Sequence, residues 1–486
     1  MLRPPLLDGA AVPVITNNQW AHIPESWCQN MHRAVASGAT KNGNAAAVNV
    51  ARSSLMIDYI SLEHVGPSAK MALQFGPRLN LLTGDNGLGK TFVLDIAWWA
   101  LTRTWAGPPA MPRWGDKGKP TIEYCLWGKS KKTDVLVGKY DRQTQSWKPP
   151  QGRPPMPGLV IYVRIDGGFS VWDPARNYWK KLAAREFEHP DRPSAFQFTQ
   201  DQVWKGLQTG EGNGETVLCN GLLRDWILWQ FQKKDLFKVL TEVLAGLSPH
   251  QDEVLRPGEP VRSSVVDVRD EPTLELPYGT VPVTVASAGM RRMLALAYLL
   301  VWTWSEHKAA SALLHQPTTD RLVLLIDEVE AHLHPQWQRV LLPAVLDVIG
   351  KLYSDIFKRE VQILATTHAP LVLASVESRF NTDLDRLITF VPRKRERDVA
   401  VRTEEWSKQG DVLGWLVSDA FGLKQARSRE AERAIEAAEA FMRQDMAALP
   451  KDLRTREQIH KELLRVLPGH DSFWPRWIVA GEETGR

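Results

Sequence analysis

The stretch Gly84-Asp-Asn-Gly-Leu-Gly89-Lys90-Thr91 constrains this chain more than any other eight residues in it. It is a complete GxxxxGK[ST] pattern, and its flanks suit it. The apolar run Leu79-Asn-Leu-Leu predicts a strand ahead of the loop, and Phe92 to Thr102 predicts a buried helix behind it. Glycines let consecutive backbone N–H groups curl around a phosphate, and the following helix adds its N-terminal dipole. Lys90 would then reach the terminal phosphates, and the Thr91 hydroxyl would ligate Mg²⁺. The expected ligand is a nucleotide with Mg²⁺, held by Gly84, Asn86, Gly87, Gly89, Lys90 and Thr91.

A loop of this kind sits on a parallel sheet, and the remaining pattern agrees. A helix is predicted at about 289–305, a strand at 322–326, a helix from Pro335 and a strand at 361–365. Short apolar runs lie at 55–62, 71–75 and 79–82, and the hairpin-like spacing of strand-like runs at 121–127, 134–140 and 158–165 among Pro/Gly-rich loops suggests an antiparallel layer. Residues 199–247 read as helices, followed by short strands at 263–268 and 281–285. The end of the chain predicts a short helix within 410–422, then an antiparallel pair over 428–447 and 453–467. The expectation is an α/β protein with a mostly parallel core sheet, an antiparallel β lobe, a helical insert and a C-terminal helical segment. Its expected divisions are 1–50 as an appendage with a small, polar joint, 51–198, 199–260, 261–400 and 401–486.

Composition narrows the class. A length of 486 residues exceeds one typical core. Lys+Arg 60 against Asp+Glu 56 leaves a net charge of +4, too little for a polycation, so any nucleic-acid contact needs a local basic patch. The three cysteines form no CxxC pair, which argues against a disulfide framework or zinc site and for a reducing cytoplasm. The apolar stretch Met293–Trp304 is too short to span a bilayer. Tryptophan is the outlier: 11 of the 20 fall between Trp98 and Trp229.

Three further segments look chemical. Leu322-Val-Leu-Leu-Ile-Asp327-Glu328 is an apolar strand ending in two carboxylates: an aspartate to hold Mg²⁺ and a glutamate to polarise a water. On its own, a strand followed by two acids is commonplace; paired with the phosphate loop it becomes informative. Ile363-Leu-Ala-Thr-Thr-His368-Ala-Pro370 places a histidine where open α/β sheets bind ligands. Val285-Ala-Ser287-Ala-Gly289-Met-Arg-Arg292 opens a helix with a natural cap and a glycine suited to close approach.

These pieces, in this order, resemble an ABC-type ATPase of the SMC/RecF/OLD kind. Gly84–Thr91 resembles the Walker A motif, Ser287-Ala-Gly289 a degenerate signature and Leu322–Glu328 Walker B. Glu330-Ala-His-Leu-His-Pro335 is similar to the stretch after Walker B in this group, and Thr366-Thr-His368-Ala-Pro to its histidine switch. The resemblance implies that two subunits sandwich ATP head to tail, with Ser287 and Gly289 of one facing the γ-phosphate held by the other. It implies Glu328 and His368 as catalytic residues, and Thr91 and Asp327 as Mg²⁺ ligands. Stand-alone prokaryotic ATPases with this pattern are often anti-phage components beside a nuclease, as in Septu- or retron-type pairs. The expected partners are therefore a second copy of the chain and a separate nuclease or toxin, with nucleic acid a further candidate and no membrane. The alternative is a DNA-binding repair or chromosome-maintenance ATPase.

The departures from the pattern are also informative. The signature reads S-A-G-M rather than the transporter's S-G-G-Q, and about 200 residues separate it from Walker A. That interval is too short and Pro-rich for coiled-coil arms. Asp383-Leu-Asp385 lacks an upstream acid at nuclease spacing and reads as a strand-edge pair. Gln197, Gln200 and Gln202 remain equivalent candidates for the glutamine that follows the first lobe, and Tyr59 is a candidate for stacking on adenine. Arg113, Lys117, Lys119, Lys129, Lys131 and Lys132, interleaved with Trp114 and Trp127, have the ingredients of a nucleic-acid or partner surface. An ordinary β lobe with tryptophan fillers explains them equally simply.

Overall fold

The computed structural model describes residues 57–126, 135–151, 156–177, 193–209, 216–250, 252–352, 360–393 and 398–483. The expected appendage 1–50 and Trp127, Lys129, Lys131 and Lys132 lie outside the described residues.

An eight-stranded sheet organises the molecule. Its middle five strands are parallel: Arg386–Arg393, Leu79–Gly84, Glu360–Thr366, Arg321–Ile326 and Leu159–Val163, side by side in that order. Asp398–Glu404 closes one edge antiparallel, and Phe169–Trp172 with Phe196–Phe198 closes the other. The parallel strands read as continuous apolar runs because both of their faces are covered. Leu322, Leu324 and Ile326 alternate onto one core, and Val323 and Leu325 onto the other.

The first of these cores is helical. Gln200–Lys205, Leu222–Phe231, Lys234–Gly246, Ala288–Leu313 and Leu341–Leu352 pack there. Ala288–Leu313 is buried over most of its length, and its Trp302 meets Phe196 and Phe198 edge-on. On the opposite face, helix Lys90–Thr102 lies between the central sheet and a five-stranded antiparallel sheet. That second sheet runs Ser68–Gln74, Ile57–Val65, Thr121–Leu126, Leu136–Asp141, Ser146–Lys148. Being covered on both sides, the helix has no polar face.

Part of the tryptophan excess fills this second core. Trp99 stacks on Trp105 with centroids 5.5 Å apart and touches Trp147 and Tyr124. Gly138 admits it: a Cβ there would come within 2.4 Å of the Trp99 ring. Trp114 is the exception, fully exposed on the loop after the helix.

Several expectations are corrected by tertiary pairing. Residues 199–247 are not wholly helical, because Leu207–Thr209 and Thr216–Cys219 pair as a small ribbon. Residues 263–268 are not a strand. Val265, Val266 and Val268 lie exposed in a loop, and the three-stranded sheet uses Arg256–Val261, Glu271–Leu276 and Gly279–Pro282 instead. The run has strand-like composition but no partner to hydrogen-bond and no face to bury. The C-terminal pair is a trio: Arg429–Met442, Arg456–Val466 and Trp474–Glu483, with its own core around Ile435, Ile459, Leu463 and Trp477. Asp385 sits at a strand edge as expected, immediately ahead of Arg386–Arg393. It is buried and accepts bonds from Arg78, the Leu79 amide and the Asn381 amide.

Candidate nucleotide site

Because the five central strands run parallel, their carboxyl ends share one edge, and the segments singled out in the sequence meet there. The phosphate loop leaves strand Leu79–Gly84 and ends at helix Lys90–Thr102. Gly84, Gly87 and Gly89 all take positive φ, at 131°, 77° and 98°. Two of them also permit close approach: a Cβ on Gly84 would fall 2.4 Å from the Phe390 carbonyl oxygen, and one on Gly89 2.6 Å from Pro67. Gly87 faces open space, and Asp85 and Asn86 beside it are exposed. Lys90 is buried, and its ammonium donates to the carbonyls of Gly84 and Asp85 at 2.8 Å each. Burial pulls its pKa down, opposed by the nearby carboxylates of Glu328 and Asp327.

Strand Arg321–Ile326 delivers Asp327 to the same place. Both of its carboxylate oxygens lie 3.0 Å from the Thr91 hydroxyl, and one accepts from Thr366 Oγ1 at 2.8 Å. Its side chain is fully buried, and burial raises its pKa despite those two hydroxyl bonds. A buried carboxylate hydrogen-bonded to two hydroxyls, one of them a further oxygen ligand, is a hard-cation donor set. The residues present thus fit Mg²⁺.

Glu328 follows in the left-handed region, at φ 45°, which is rare and strained for a residue bearing a side chain. Its peptide is held from both sides. The Glu328 N–H donates to Thr366 Oγ1 at 2.7 Å, and its carbonyl accepts from Arg292 Nη2 at 3.1 Å. The same Arg292 nitrogen reaches the Asp327 carbonyl at 2.9 Å. His368, just past strand Glu360–Thr366, brings Nε2 to 3.7 Å from Glu328 Oε1, and both side chains are partly exposed.

Ser287 caps helix Ala288–Leu313 by accepting the Met290 amide, and its side chain is exposed. Gly289 is buried against the turn that follows Glu328. A Cβ there would stand 3.0 Å from the His332 carbonyl. The three glutamines now differ. Gln197 is bonded to Ser170 and the Trp105 carbonyl, and Gln202 closes the capping box with Thr199. Gln200 is exposed, with its amide beside Gly167 in the loop after strand Leu159–Val163. Tyr59 lies mid-strand, paired with Gln74 and Cys125.

Sequence reasoning missed Thr366, Arg292, Glu330 and Asp95 as members of the site. Thr366, Glu330 and Arg292 stood inside quoted segments, Arg292 as the second of two adjacent arginines opening an apolar helix. Asp95, one turn beyond Thr91, gave no signal. Burial pushes its carboxyl up to about 6, although Tyr162 donates to it at 3.1 Å.

A phosphate loop, a strand-end Asp-Glu pair, a strand-end histidine and a capped helix facing the Asp-Glu turn sit on one parallel sheet with a second antiparallel sheet over the phosphate-loop helix. The fold is that of an ABC-type P-loop ATPase. A family profile described as "AAA domain, putative AbiEii toxin, Type IV TA system" matches residues 240–374 of this chain. The Septu protein PtuA of Bacillus thuringiensis is 21% identical over 395 residues, 77% of this chain and 86% of that protein. A Septu protein PtuA of Bacillus mycoides (strain KBAB4) is 31% identical over 102 residues, 21% of this chain and 12% of that protein. Among solved structures, the SMC head domain from Thermotoga maritima aligns with a TM-score of 0.34 at 13% identity, over 72% of this chain and all of that one. The recombination mediator RecF with ATP aligns with a TM-score of 0.35 at 11% identity, over 73% of this chain and 98% of that one. Among the described residues no helix is long and apolar enough to cross a membrane.

Proposed function

We propose that this ATPase binds and hydrolyses ATP as a switch that controls a separate nuclease or toxin in prokaryotic anti-phage defence, working as a dimer that sandwiches the nucleotide. The likeness to PtuA, spread over most of that protein's length, supports the defence setting. The observation that carries the chemistry is the convergence of Lys90, Thr91, Asp327, Glu328 and His368 at one sheet edge.

In this reading the loop amides of Gly84, Asn86, Gly87 and Gly89 and the Lys90 ammonium bind the phosphates. To do so, Lys90 exchanges its two carbonyl partners for phosphate oxygens. Mg²⁺, held by Thr91 and Asp327, neutralises phosphate charge when bound. Glu328 takes the proton of the attacking water, and His368, within reach of the same carboxylate, holds it and the γ-phosphate in line. Ser287 and Gly289 of a second copy close the site from outside. Residues 51–198 and 261–400 then form the ATPase body, 199–260 a helical insert and 401–486 an accessory region, all in the cytoplasm.

Glu328→Gln tests the assignment. Mg²⁺-dependent ATP turnover should fall by about 10²–10⁴, the usual contribution of a general base, while ATP still binds and an ATP-bound dimer accumulates in size-exclusion chromatography. Unchanged turnover, or no ATP-dependent dimer, would show the assignment to be wrong. Co-purification with the product of a neighbouring gene tests the effector.

A further inference from the structure

We propose that Glu330 is a positioning residue for His368: its carboxylate fixes the backbone from which the imidazole reaches Glu328. The proposal rests on the catalytic reading of Glu328 and His368 given above and adds a residue to it.

The argument starts from where hydrogen bonds run out. Strand Glu360–Thr366 ends one residue before Thr367, whose N–H still finds the Leu82 carbonyl at 3.0 Å. Helix Pro370–Val376 begins two residues after His368. His368 therefore falls between two regular elements, and its N–H has neither a ladder nor a helical partner. Glu330 supplies one. Its Oε1 accepts the His368 N–H, and its Oε2 accepts the Thr367 hydroxyl at 2.8 Å. Thr367 Oγ1 in turn accepts the Ala369 amide at 3.0 Å, so a single carboxylate fixes three consecutive residues. Bonds to an ionised acceptor are roughly twice as strong as neutral ones.

The other end of this clamp is equally well fixed. Val329 N–H donates to the Thr366 carbonyl at 3.0 Å, and the Glu330 carbonyl accepts the Leu333 amide at 2.9 Å. Glu330 thus projects from a turn already tied to the His368 strand. The same turn presents the His332 carbonyl to Gly289. At 3.7 Å, the gap between His368 Nε2 and Glu328 Oε1 is just outside hydrogen-bond range. Displacements of well under an ångström decide whether that pair engages, and catalytic groups depend on such support.

A double-mutant cycle with His368, on the full chain, tests this. Glu330→Ala should lower kcat for Mg²⁺-ATP at least tenfold and leave the affinity for a fluorescent ATP analogue within twofold of wild type. In a His368→Ala background, the same change should cost less than twofold. Glu330→Gln, which keeps an oxygen for the His368 N–H, should recover kcat to within threefold of wild type. Should Glu330→Ala fail to fold, Glu330→Asp serves, being charged but a methylene too short to bridge both donors, with a several-fold loss that again vanishes without His368. An equal loss in both backgrounds, or a loss that tracks nucleotide affinity and Tm, would overturn the proposal. A fully active His368→Ala would remove its basis as well. Loss of turnover in Glu328→Gln alongside equal losses in the cycle would leave the base assignment standing and refute only the role of Glu330.

Discussion

The sheet edge around Asp327 and the three-helix unit at the end of the chain are built by opposite rules. Arg429–Met442 and Arg456–Val466 are ordinary amphipathic helices. Alanines and Ile435 face inward, charged residues face out, and a capping box at Thr455 starts the second helix. At the sheet edge, a glutamate adopts a backbone conformation that disfavours side chains, an aspartate and an arginine are buried, and a lysine loses basicity by burial. Each of these raises the free energy of the folded state, and each sits at the candidate nucleotide site. Local rules are kept where packing is the only task and broken where a ligand supplies the missing partner.

That contrast can be broken at either end. The largest effect on ligand binding is expected for Lys90→Met. ATP affinity should drop by about two orders of magnitude, since a bond to a charged group contributes about 1.5–3 kcal/mol, while Tm does not fall, because a burial-destabilised ammonium is removed. A substantial fall in Tm would mean the lysine is structural. Next is Trp477→Ala in the C-terminal unit. Removing a buried tryptophan should destabilise that unit by about 3–5 kcal/mol, visible as early local hydrogen exchange, with ATP turnover unchanged. Lost turnover would show that the two regions are energetically joined.

A smaller effect concerns pH. Asp95 has its carboxyl raised from 3.8 to about 6 in the folded chain, so the folded state binds a proton more readily than the unfolded state does. Stability from this group is present at low pH and lost as pH rises through about 4 to 6. Asp95→Asn should flatten that part of the urea-derived stability profile, keeping the Tyr162 hydrogen bond. A profile parallel to wild type would contradict it. The smallest effect is at Thr455, where replacement by alanine should cost about 1 kcal/mol, read as a modest fall in the midpoint for the C-terminal helices alone.

The same contrast explains what could be read from the residues in advance. The phosphate loop, Asp327-Glu328 and Thr366-Thr-His368 were legible because their chemistry fixes residue types over a few contiguous positions. The parallel core was legible because strands covered on both faces become unbroken apolar runs. Glu330 and Arg292 were not, since each acts on the backbone of a segment distant in sequence, and no local pattern records which carbonyl or amide lies opposite. Asp95 carries a raised carboxyl only because the fold buries it, against the opposing bond from Tyr162. Val265-Val266 misled because β-branched composition signals a strand only where a neighbouring strand exists. The third C-terminal helix was overlooked because Trp474 and Trp477 meet partners on two different helices, His460 and Phe441, that no local pattern pairs with them.

Helix Lys90–Thr102 is held between two sheets, with tryptophans wedged along it. It cannot slide or tilt without opening hydrophobic contacts on both sides at once. The half of the site proposed to grip the phosphates is thereby a rigid reference, and its amides should be among the slowest to exchange with or without nucleotide. Helix Ala288–Leu313, packed on the opposite face, begins at an exposed serine, and its Arg292 grips only two carbonyls at the Asp327–Glu328 bend. Whatever ATP sets in motion should therefore start from that end, with the phosphate loop as the fixed point it moves against.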